Sequence, residues 1–242
     1  IRNYENFLRD SSYSMLFDSI LFNNDRIYLS NFTLRQLTQG KIENSFSIPK
    51  FELSGLSWDE FVFNRKLKAR EATLYHPLIN YTVTENNRKN KRKQTIFELL
   101  GYIGGKMEMD QLNIVDGQID LTLKNNMQLQ LQNTTLSIKS RSLLNSRKIT
   151  DIKQSVTELH FINGNIKTKD LAVQLSDVHY TGNNGGLQAG KMQLLNRQKN
   201  ISAVAQNVSL NEILVDDSTG NITINGIQWK QADVKIIAQE GN

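Results

Sequence analysis

Apolar and polar residues alternate with a period of two along most of this 242-residue chain. The alternation is clear from Ile27 to Leu34 and from Phe46 to Leu53, with a change of phase near Asn31 and near Pro49. Successive side chains of a strand point to opposite faces, so this pattern predicts strands with one apolar and one polar face. An antiparallel sheet covered on one side has this pattern, whereas a doubly covered parallel sheet has unbroken apolar runs.

Turn-forming residues separate the alternating segments. Asp116-Gly117 and Asn163-Gly164 adopt left-handed backbone angles at low cost and therefore predict hairpin turns. The segments 183–186 (NNGG) and 217–220 (DSTG) predict two further connections. Helix signals are scarce: 95–103 (TIFELLGYI) has apolar residues at helical spacing before a Gly-Gly stop, and 3–21 contains a second candidate.

These patterns predict an all-β, mainly antiparallel fold. We expect an elongated, twisted and curved sheet or half-pipe of repeated amphipathic strands, with one or two short helices. An N-terminal strand-repeat section is predicted for 1–85, a basic loop for 86–94, and a short helix followed by a β-meander for 95–242. The two strand sections are also compatible with one continuous domain.

Two internal similarities suggest a repeated supersecondary unit. The segments 51–58 (FELSGLSW) and 222–229 (ITINGIQW) share one pattern, with Gly at the fifth position and Trp at the eighth. The segments 112–119 (LNIVDGQI) and 159–166 (LHFINGNI) share a second pattern. Repetition of this kind is typical of an elongated, stacked architecture, and chance similarity between strands is the alternative explanation.

The basic residues are partly concentrated in one run. The formal net charge is +5, and the run NNRKNKRK (86–93) fits either contact with anionic lipid or a solvated loop. It has no interleaved aromatic residues on which single-stranded nucleic acid stacks, so we expect no nucleic-acid partner. The candidate anionic-lipid contacts are Arg88, Lys89, Lys91, Arg92 and Lys93.

The sequence predicts no catalytic, metal or cofactor site. The chain has no cysteine, which excludes disulfides, thiolate metal sites and a cysteine nucleophile. None of its three histidines, His76, His160 and His179, has another histidine at metal-ligand spacing. Nucleophile-elbow, phosphate-loop and dinucleotide motifs are missing, so we expect a non-enzymatic protein. Since the chain begins at Ile1 without a signal-peptide pattern, we expect a soluble piece of a longer precursor.

Three stretches resemble the AsmA-like proteins of Gram-negative envelopes, especially their Bacteroidetes-type members. The first, 26–83, runs from RIYLSNFTLR through FSIPKFELSGLSW to KLKAREATLYHPLINYTV, with His76-Pro77 at the family's proline position. In the second, 96–123, IFELLGYIGG precedes KMEMDQLNIVDGQIDLTL, which is similar to the family's helix and a hairpin with an Asx-Gly turn. The third, 187–214, resembles a recurring strand pair.

The resemblance implies a function in lipid transport or envelope assembly. AsmA-like proteins are thought to be anchored in the inner membrane and to extend through the periplasm, where repeated strands form an apolar-lined half-pipe. For this chain the resemblance implies a non-enzymatic periplasmic module, a lipid conduit or scaffold in outer-membrane biogenesis. It implies a phospholipid or another acyl-chain lipid as partner, a membrane anchor in the full-length parent, and no cofactor or catalytic residue.

Alternating apolar positions between 112 and 138 are the candidate lipid-facing residues. An acyl chain gains about 0.8 kcal/mol per CH₂ that it buries in an apolar trough. The same residues also fit a dry core, so a groove and a core both stay open as interpretations. They are Leu112, Ile114, Ile119, Leu121, Leu129, Leu131, Leu136 and Ile138.

A surface adhesin or carbohydrate-binding β-solenoid module is the alternative from another class of protein. It predicts an exposed aromatic ladder along one strand face. The aromatic residues Trp58, Tyr75, Tyr81, Tyr180 and Trp229 are instead scattered along the sequence. A third option, a β-helix enzyme that cleaves polysaccharides, requires a charged cluster in one groove.

Overall fold

Extended backbone dominates the structure, a computed structural model that describes residues 2–8, 13–38, 40–82, 107–122, 127–140, 155–182, 186–215 and 222–236. Within these ranges the chain forms fourteen strands and one complete helix. All fourteen strands belong to one sheet, and most neighbouring strands are antiparallel. The predicted all-β, mainly antiparallel fold class is confirmed.

The strands are long, because the backbone stays extended through most positions at which the apolar–polar alternation changes phase. They are β1 Arg2–Leu8, β2 Tyr13–Asn23, β3 Arg26–Thr38, β4 Lys41–Ser54, β5 Leu67–Tyr75, β6 Leu78–Thr82, β7 Met107–Thr122, β8 Gln128–Lys139, β9 Val156–Lys167, β10 Leu171–Thr181, β11 Leu187–Asn196, β12 Ile201–Val215, β13 Ile222–Gln228 and β14 Gln231–Ile236. The helix, α1, spans Trp58–Asn64 between β4 and β5.

The strands follow one another across the sheet in nearly the order of the chain. The order is β1-β2-β3-β4-β5-β7-β8-β9-β10-β11-β12-β13, while β6 pairs with β4 and β7, and β14 pairs with β12. Strands β5 and β6 run parallel to β7. Residues 83–106 connect these parallel strands and lie outside the described residues, as do the predicted basic loop and the predicted helix at 95–103.

Strands β5 and β6 are two segments of one long strand, interrupted at His76-Pro77. Strand β4 pairs with both, using Lys50–Ser54 for β5 and Ser45–Ser47 for β6. The His76 amide donates to the Val115 carbonyl at 2.8 Å, and the Gln118 amide donates to the Pro77 carbonyl at 2.8 Å. These two bonds continue the ladder with β7 across the interruption. Strands β13 and β14 share β12 in the same manner.

A transverse line, which we call the crease, crosses the sheet where the strands change their alternation phase. In β8 the apolar positions are Leu129 and Leu131 before the crease, and Leu136 and Ile138 after it. The cross-strand registers place the phase changes of neighbouring strands side by side. From β8 to β12 the residues at the crease are Asn133, Ile162, Asp177, Gly190 and Asn207.

Left-handed backbone angles mark the crease at six non-glycine residues. A left-handed residue turns the following strand segment over, so the alternation resumes in the opposite phase and apolar side chains stay on one face. Asn, Asp and His tolerate these angles better than most side chains. The six residues, with φ between 50° and 53°, are Asn31, His76, Asp116, Asn133, Asp177 and Asn207.

In strands β8 to β12, the most buried side chains form a line beside the crease, on the apolar face. Thr134, Phe161, Val178, Ala189 and Val208 are register partners in successive strands from β8 to β12. Each is at most 3% exposed. A flat single layer leaves its side chains partly exposed, so this burial indicates that the sheet bends towards its apolar face along the crease.

The two predicted Asx-Gly hairpin turns are wrong. Asp116-Gly117 lies inside β7, and Asn163-Gly164 lies inside β9, both at the crease. At Asp116 the left-handed φ of 53° changes the phase of the strand without reversing its direction. The hairpin expected from the family resemblance at this position is therefore also wrong. The predicted connections at 183–186 and 217–220 fall almost entirely outside the described residues, between strands that pair antiparallel.

The helix predicted within 3–21 is also wrong, because this segment forms β1 and β2. Cross-strand pairing with β3, in which Met15 lies opposite Leu34 and Ile20 opposite Leu29, overrides the local helical spacing. The helix α1 was not predicted. It begins after Ser57 and carries Asp59 and Glu60 in its first turn, where negative charge favours a helix N-terminus.

Candidate functional site: the apolar sheet face

The eight candidate residues form one contiguous apolar strip on β7 and β8. Their registers pair them with one another in four cross-strand pairs. Since partners in a ladder lie on the same face, all eight side chains share one side of the sheet. The pairs are Leu112 with Ile138, Ile114 with Leu136, Ile119 with Leu131, and Leu121 with Leu129.

The exposure of this strip differs between its isoleucines and its leucines. Ile114, Ile119 and Ile138 are buried, at 6%, 9% and 8% exposure. The five leucines are only half-buried. Among the described residues, no second sheet layer pairs with this region. Its burial comes from neighbouring strands and, at the Leu112 end, from the cluster that also contains Trp58 of α1.

The apolar strip continues into the C-terminal half of the sheet. Leu131 lies opposite Gly164 of β9, and Gly164 lies opposite Leu175 of β10. Leu175 in turn lies opposite Met192 of β11, which lies opposite Ala205 of β12. Together with the eight candidate residues, this row and the buried line beside the crease form what we call the apolar face.

Two glycines on the apolar face lie under larger side chains. Gly164 is covered by the ring of Phe161, which a Cβ at position 164 would overlap. A Cβ on Gly117 would lie 2.8 Å from Ile114 Cγ2 and 3.0 Å from Pro77 Cγ. In both cases the covering residue precedes the glycine by three positions, since the change of phase puts residues i and i+3 on one face.

The covered glycines belong to one of the two internal sequence similarities, the one between 112–119 and 159–166. In 112–119 and in 159–166, the residue three positions before the glycine covers it, although Gly117 pairs with Thr134 of β8 and Gly164 pairs with Leu131. The segments 51–58 and 222–229 are not equivalent in this way. Gly55 follows the last residue of β4 and has a φ of 64°, whereas Gly226 lies within β13.

An exposed aromatic cluster lies around α1. The Trp58 ring lies 6.4 Å from the Phe22 ring and 6.0 Å from the Phe61 ring, between centroids. Phe22, Phe61 and Phe63 are 59%, 47% and 79% exposed, respectively. Trp58 also packs against the buried cluster of Ile27, Leu53 and neighbouring residues, so the aromatic cluster is continuous with the apolar interior of the N-terminal half.

The opposite face carries a connected polar network. The Glu52 carboxylate is 9% exposed and accepts a hydrogen bond from Arg26 Nη1 at 2.8 Å, with Lys50 Nζ at 3.4 Å. The Tyr75 hydroxyl donates to Glu52 at 3.3 Å, and Lys50 Nζ lies 4.4 Å from the Tyr75 ring centroid. Burial and the negative charge of Glu52 raise the pKa of the Tyr75 phenol.

The polar face also brings two of the three histidines together. His160 of β9 and His179 of β10 are direct register partners, and their rings stack with centroids 4.2 Å apart. Asp177 Oδ1 lies 3.1 Å from His179 Nε2 and 3.6 Å from His160 Nε2. The third histidine, His76, pairs separately with Asp116, with 3.1 Å between Nδ1 and Oδ2.

Sequence spacing alone did not suggest the His160–His179 pair, because the two residues are nineteen positions apart along the chain. The sequence feature that could have indicated this pairing is the polar segment 168–170 (TKD). In the structure it forms the turn between β9 and β10, where the Thr168 amide donates to the Leu171 carbonyl at 2.8 Å. A hairpin centred between Lys169 and Asp170 puts residue 160 opposite residue 179. The expected turn at Asn163-Gly164 concealed this register.

The predicted anionic-lipid contacts, which belong to the 86–93 run, lie outside the described residues. In the part of the chain that the structure describes, no helix has the length and apolar character needed to cross a lipid bilayer.

The fold and the site define an all-β protein with one long creased sheet that is apolar on one face and polar on the other. The path of paired strands ends at β1 and at β13, which are not paired with each other within the described ranges. No protein-family model matches this chain, and no curated protein matches it either.

Proposed function

We propose that this chain is a non-enzymatic, AsmA-like envelope module whose apolar face shelters the acyl chains of lipids. The site is the apolar face defined above, with the β7–β8 strip at its centre. The lipid would be a phospholipid or another acyl-chain lipid, and the module would act in the periplasm as part of a parent anchored in the inner membrane.

One observation carries this proposal: from β7 to β12 the apolar face is wide, while the strand side chains that are at most 3% exposed form a single line beside the crease. Leu121, Leu129 and Leu131 are half-buried in a sheet that has no second layer among the described residues. Apolar surface of this extent is costly to expose to water. Acyl chains would remove that cost at about 0.8 kcal/mol per CH₂ group that they bury.

The shape of the sheet supports the same proposal. A sheet that bends towards its apolar face is concave on that face, which is the shape that an elongated chain ligand requires. The half-pipe implied by the AsmA-like resemblance has this curvature and this apolar lining. The basic residues of 86–93 would contribute attraction to anionic headgroups.

The carbohydrate-binding alternative gains no support from the polar face. It predicts a ladder of exposed aromatic rings, on which sugars stack. The Tyr28 and Tyr75 rings of this face instead lie on either side of Lys50, at 5.4 Å and 4.4 Å from Nζ to the centroids. An amide-lined cleft of about 280 Å³ lies between Gln132 and Asn165, and no aromatic ring lines it.

Site-specific photocrosslinking tests the lipid proposal with adjacent residues on opposite faces. A benzophenone amino acid replaces Leu129 in one variant and Gln130 in another, because Leu129 pairs with Leu121 on the apolar face and Gln130 pairs with Asp120 on the polar face. Each protein is irradiated with phosphatidylethanolamine–phosphatidylglycerol vesicles and analysed by intact-protein mass spectrometry. We expect a lipid adduct at position 129 and little or none at position 130.

A second pair of positions, Leu194 and Gln193 of β11, repeats the comparison in the C-terminal half. Leu194 continues the apolar face through its pairing with Val173, while Gln193 pairs with Gln174. Circular dichroism checks that all four variants are folded. Equal labelling of both faces, or no lipid adduct at either leucine, contradicts the proposal.

A further inference from the structure

We propose that His160, Asp177 and His179 form a binding site for a zinc-class transition-metal ion on the polar face. This inference does not depend on lipid binding, because the three side chains lie on the opposite side of the sheet from the apolar face. It starts from three metal-ligating groups that the tertiary fold brings within reach of one another.

The register of the β9–β10 hairpin assembles the site. His160 and His179 are opposite one another in the ladder, and Asp177 precedes His179 by two positions on β10, so all three share one face. One ligand atom from each residue lies within 4.8 Å of the other two. Both Nε2 atoms lie near the same carboxylate oxygen, Asp177 Oδ1, at 3.6 Å and 3.1 Å.

These separations suit a tetrahedral metal ion. With metal–ligand bonds of about 2.0–2.1 Å, adjacent ligands of a tetrahedral zinc ion are about 3.3 Å apart. The two distances to Asp177 Oδ1, 3.1 Å and 3.6 Å, lie on either side of that value. Small rotations of the two stacked imidazoles would direct both nitrogen lone pairs at one point.

The donor set determines the class of metal. Two imidazole nitrogens and one carboxylate oxygen suit Zn²⁺, and also Co²⁺, Ni²⁺ and Cu²⁺, rather than Ca²⁺ or Mg²⁺, which prefer oxygen ligands. The side chains of Asp177 and His179 are 68% and 55% exposed, so water has access to the remaining coordination position. A site with three protein ligands and one open position results.

The strand on the far side of Asp177 leaves room for the carboxylate. Gly190 of β11 lies opposite Asp177, and a Cβ at position 190 would lie 3.3 Å from Asp177 Cβ and 3.5 Å from Oδ2. Asp177 is also one of the left-handed residues of the crease, with a φ of 52°. A bound ion would therefore join β9 to β10 at the line where the sheet bends.

The structure supplies a matched control in His76 and Asp116. This pair has the same 3.1 Å separation between a ring nitrogen and a carboxylate oxygen as His179 and Asp177, also at the crease. Among the described residues, this pair is not part of a group of three metal-ligating side chains. If a single His–Asp contact sufficed to bind the metal, the control pair would bind it too.

The experiment measures Zn²⁺ binding to the full chain by isothermal titration calorimetry after treatment with a chelator. We expect one Zn²⁺ per chain, and about tenfold or more weaker binding in His160→Ala, His179→Ala and Asp177→Asn, because losing a ligand costs at least as much as losing an outer-shell partner. His76→Ala should bind as the wild type does. Mg²⁺ should not compete at equal concentration.

A separate readout detects the ligand type. Co²⁺ bound by two imidazoles and a carboxylate in tetrahedral geometry should give visible absorption bands in the wild type that are lost in His179→Ala. Absence of Zn²⁺ binding in the wild type overturns the proposal, as does unchanged affinity in the three ligand variants. Loss of binding in His76→Ala to the same degree would also overturn it.

Discussion

At the residue scale, the most consequential side chains are those with left-handed backbone angles. Asn31, Asn133 and Asn207 each allow a long strand to change phase while its apolar side chains stay on one face. Asn31 also donates a hydrogen bond to Asp18 at 2.7 Å, and Asn133 donates one to Asp116 at 2.9 Å. The residue type at these positions therefore determines the free-energy cost of the left-handed backbone angle at the change of phase.

Asn207→Val tests this role. Valine is favoured in ordinary strand positions, but a left-handed conformation costs a residue with a branched Cβ about 1–2 kcal/mol. We expect the free energy of unfolding, measured by urea denaturation, to fall by about that amount. Asn207→Gly should lose less, because glycine adopts positive φ without steric cost.

Gln206→Val is the matched control for this substitution. Gln206 is the adjacent residue of β12, is exposed, and is not among the residues with positive φ. Its replacement should change the free energy of unfolding by no more than about 0.5 kcal/mol. Equal losses from both valine substitutions would show that the backbone angle at position 207 is not the cause.

At the element scale, β7 and β9 each contain a glycine that lies beneath a bulky side chain. Phe161 covers Gly164, and Ile114 covers Gly117. These contacts explain why an Asx-Gly pair stands in the middle of each strand and does not form a hairpin. Long-range pairing on both sides of β9, with β8 and with β10, holds the segment extended through Asn163-Gly164.

Gly164→Ala should destabilise the protein by overpacking this contact, at a cost of about 1–3 kcal/mol. Phe161→Leu alone should also destabilise it, because buried aromatic contacts are lost. In the double variant, the smaller leucine makes room for the new methyl group. We therefore expect the double variant to be more stable than the sum of the two single effects predicts, by about 1 kcal/mol in urea denaturation.

Gly226→Ala serves as the control for this cycle. A Cβ at position 226 would meet Asn211 Cβ at 3.5 Å, which is ordinary van der Waals contact. Alanine should therefore be tolerated in β13 with little change in stability. Strict additivity of Gly164→Ala and Phe161→Leu would mean that the two residues do not compete for the same space.

At the scale of the whole molecule, one sheet supplies both faces of the protein. Its apolar clusters, around Phe161 and Val178 in one half and around Leu53 and Ala72 in the other, each run along successive strands. Neither cluster joins two stacked layers among the described residues. This arrangement leaves much of the apolar face half-buried, as the lipid proposal requires.

Binding of the dye 8-anilinonaphthalene-1-sulfonate tests this property in the native protein. If the apolar face is accessible, the dye should fluoresce with the folded chain at neutral pH, and oleate should displace it in a saturable manner. Fluorescence should fall when urea unfolds the sheet, since the assembled apolar surface is then lost. If the dye does not fluoresce with the native protein, its apolar face is inaccessible, contrary to this expectation.

Much of the fold was predictable from local patterns. The alternation of 112–138 predicted that Leu112, Ile114, Leu129 and Leu131 share an apolar face, and the changes of phase at Asn31 and Pro49 were visible in the sequence. The helix expected in 3–21 and the two Asx-Gly turns were wrong, because local propensity was overridden by pairing with distant strands.

The sequence by itself determined that the chain forms amphipathic strands and which residues of each strand are apolar, because alternation is a property of neighbouring residues. Only the tertiary structure decided that the phase changes align into one crease and that His160 lies beside His179 and Asp177. Those relations depend on strand register, which is set by turns and by packing across the whole sheet, and no local pattern encodes them.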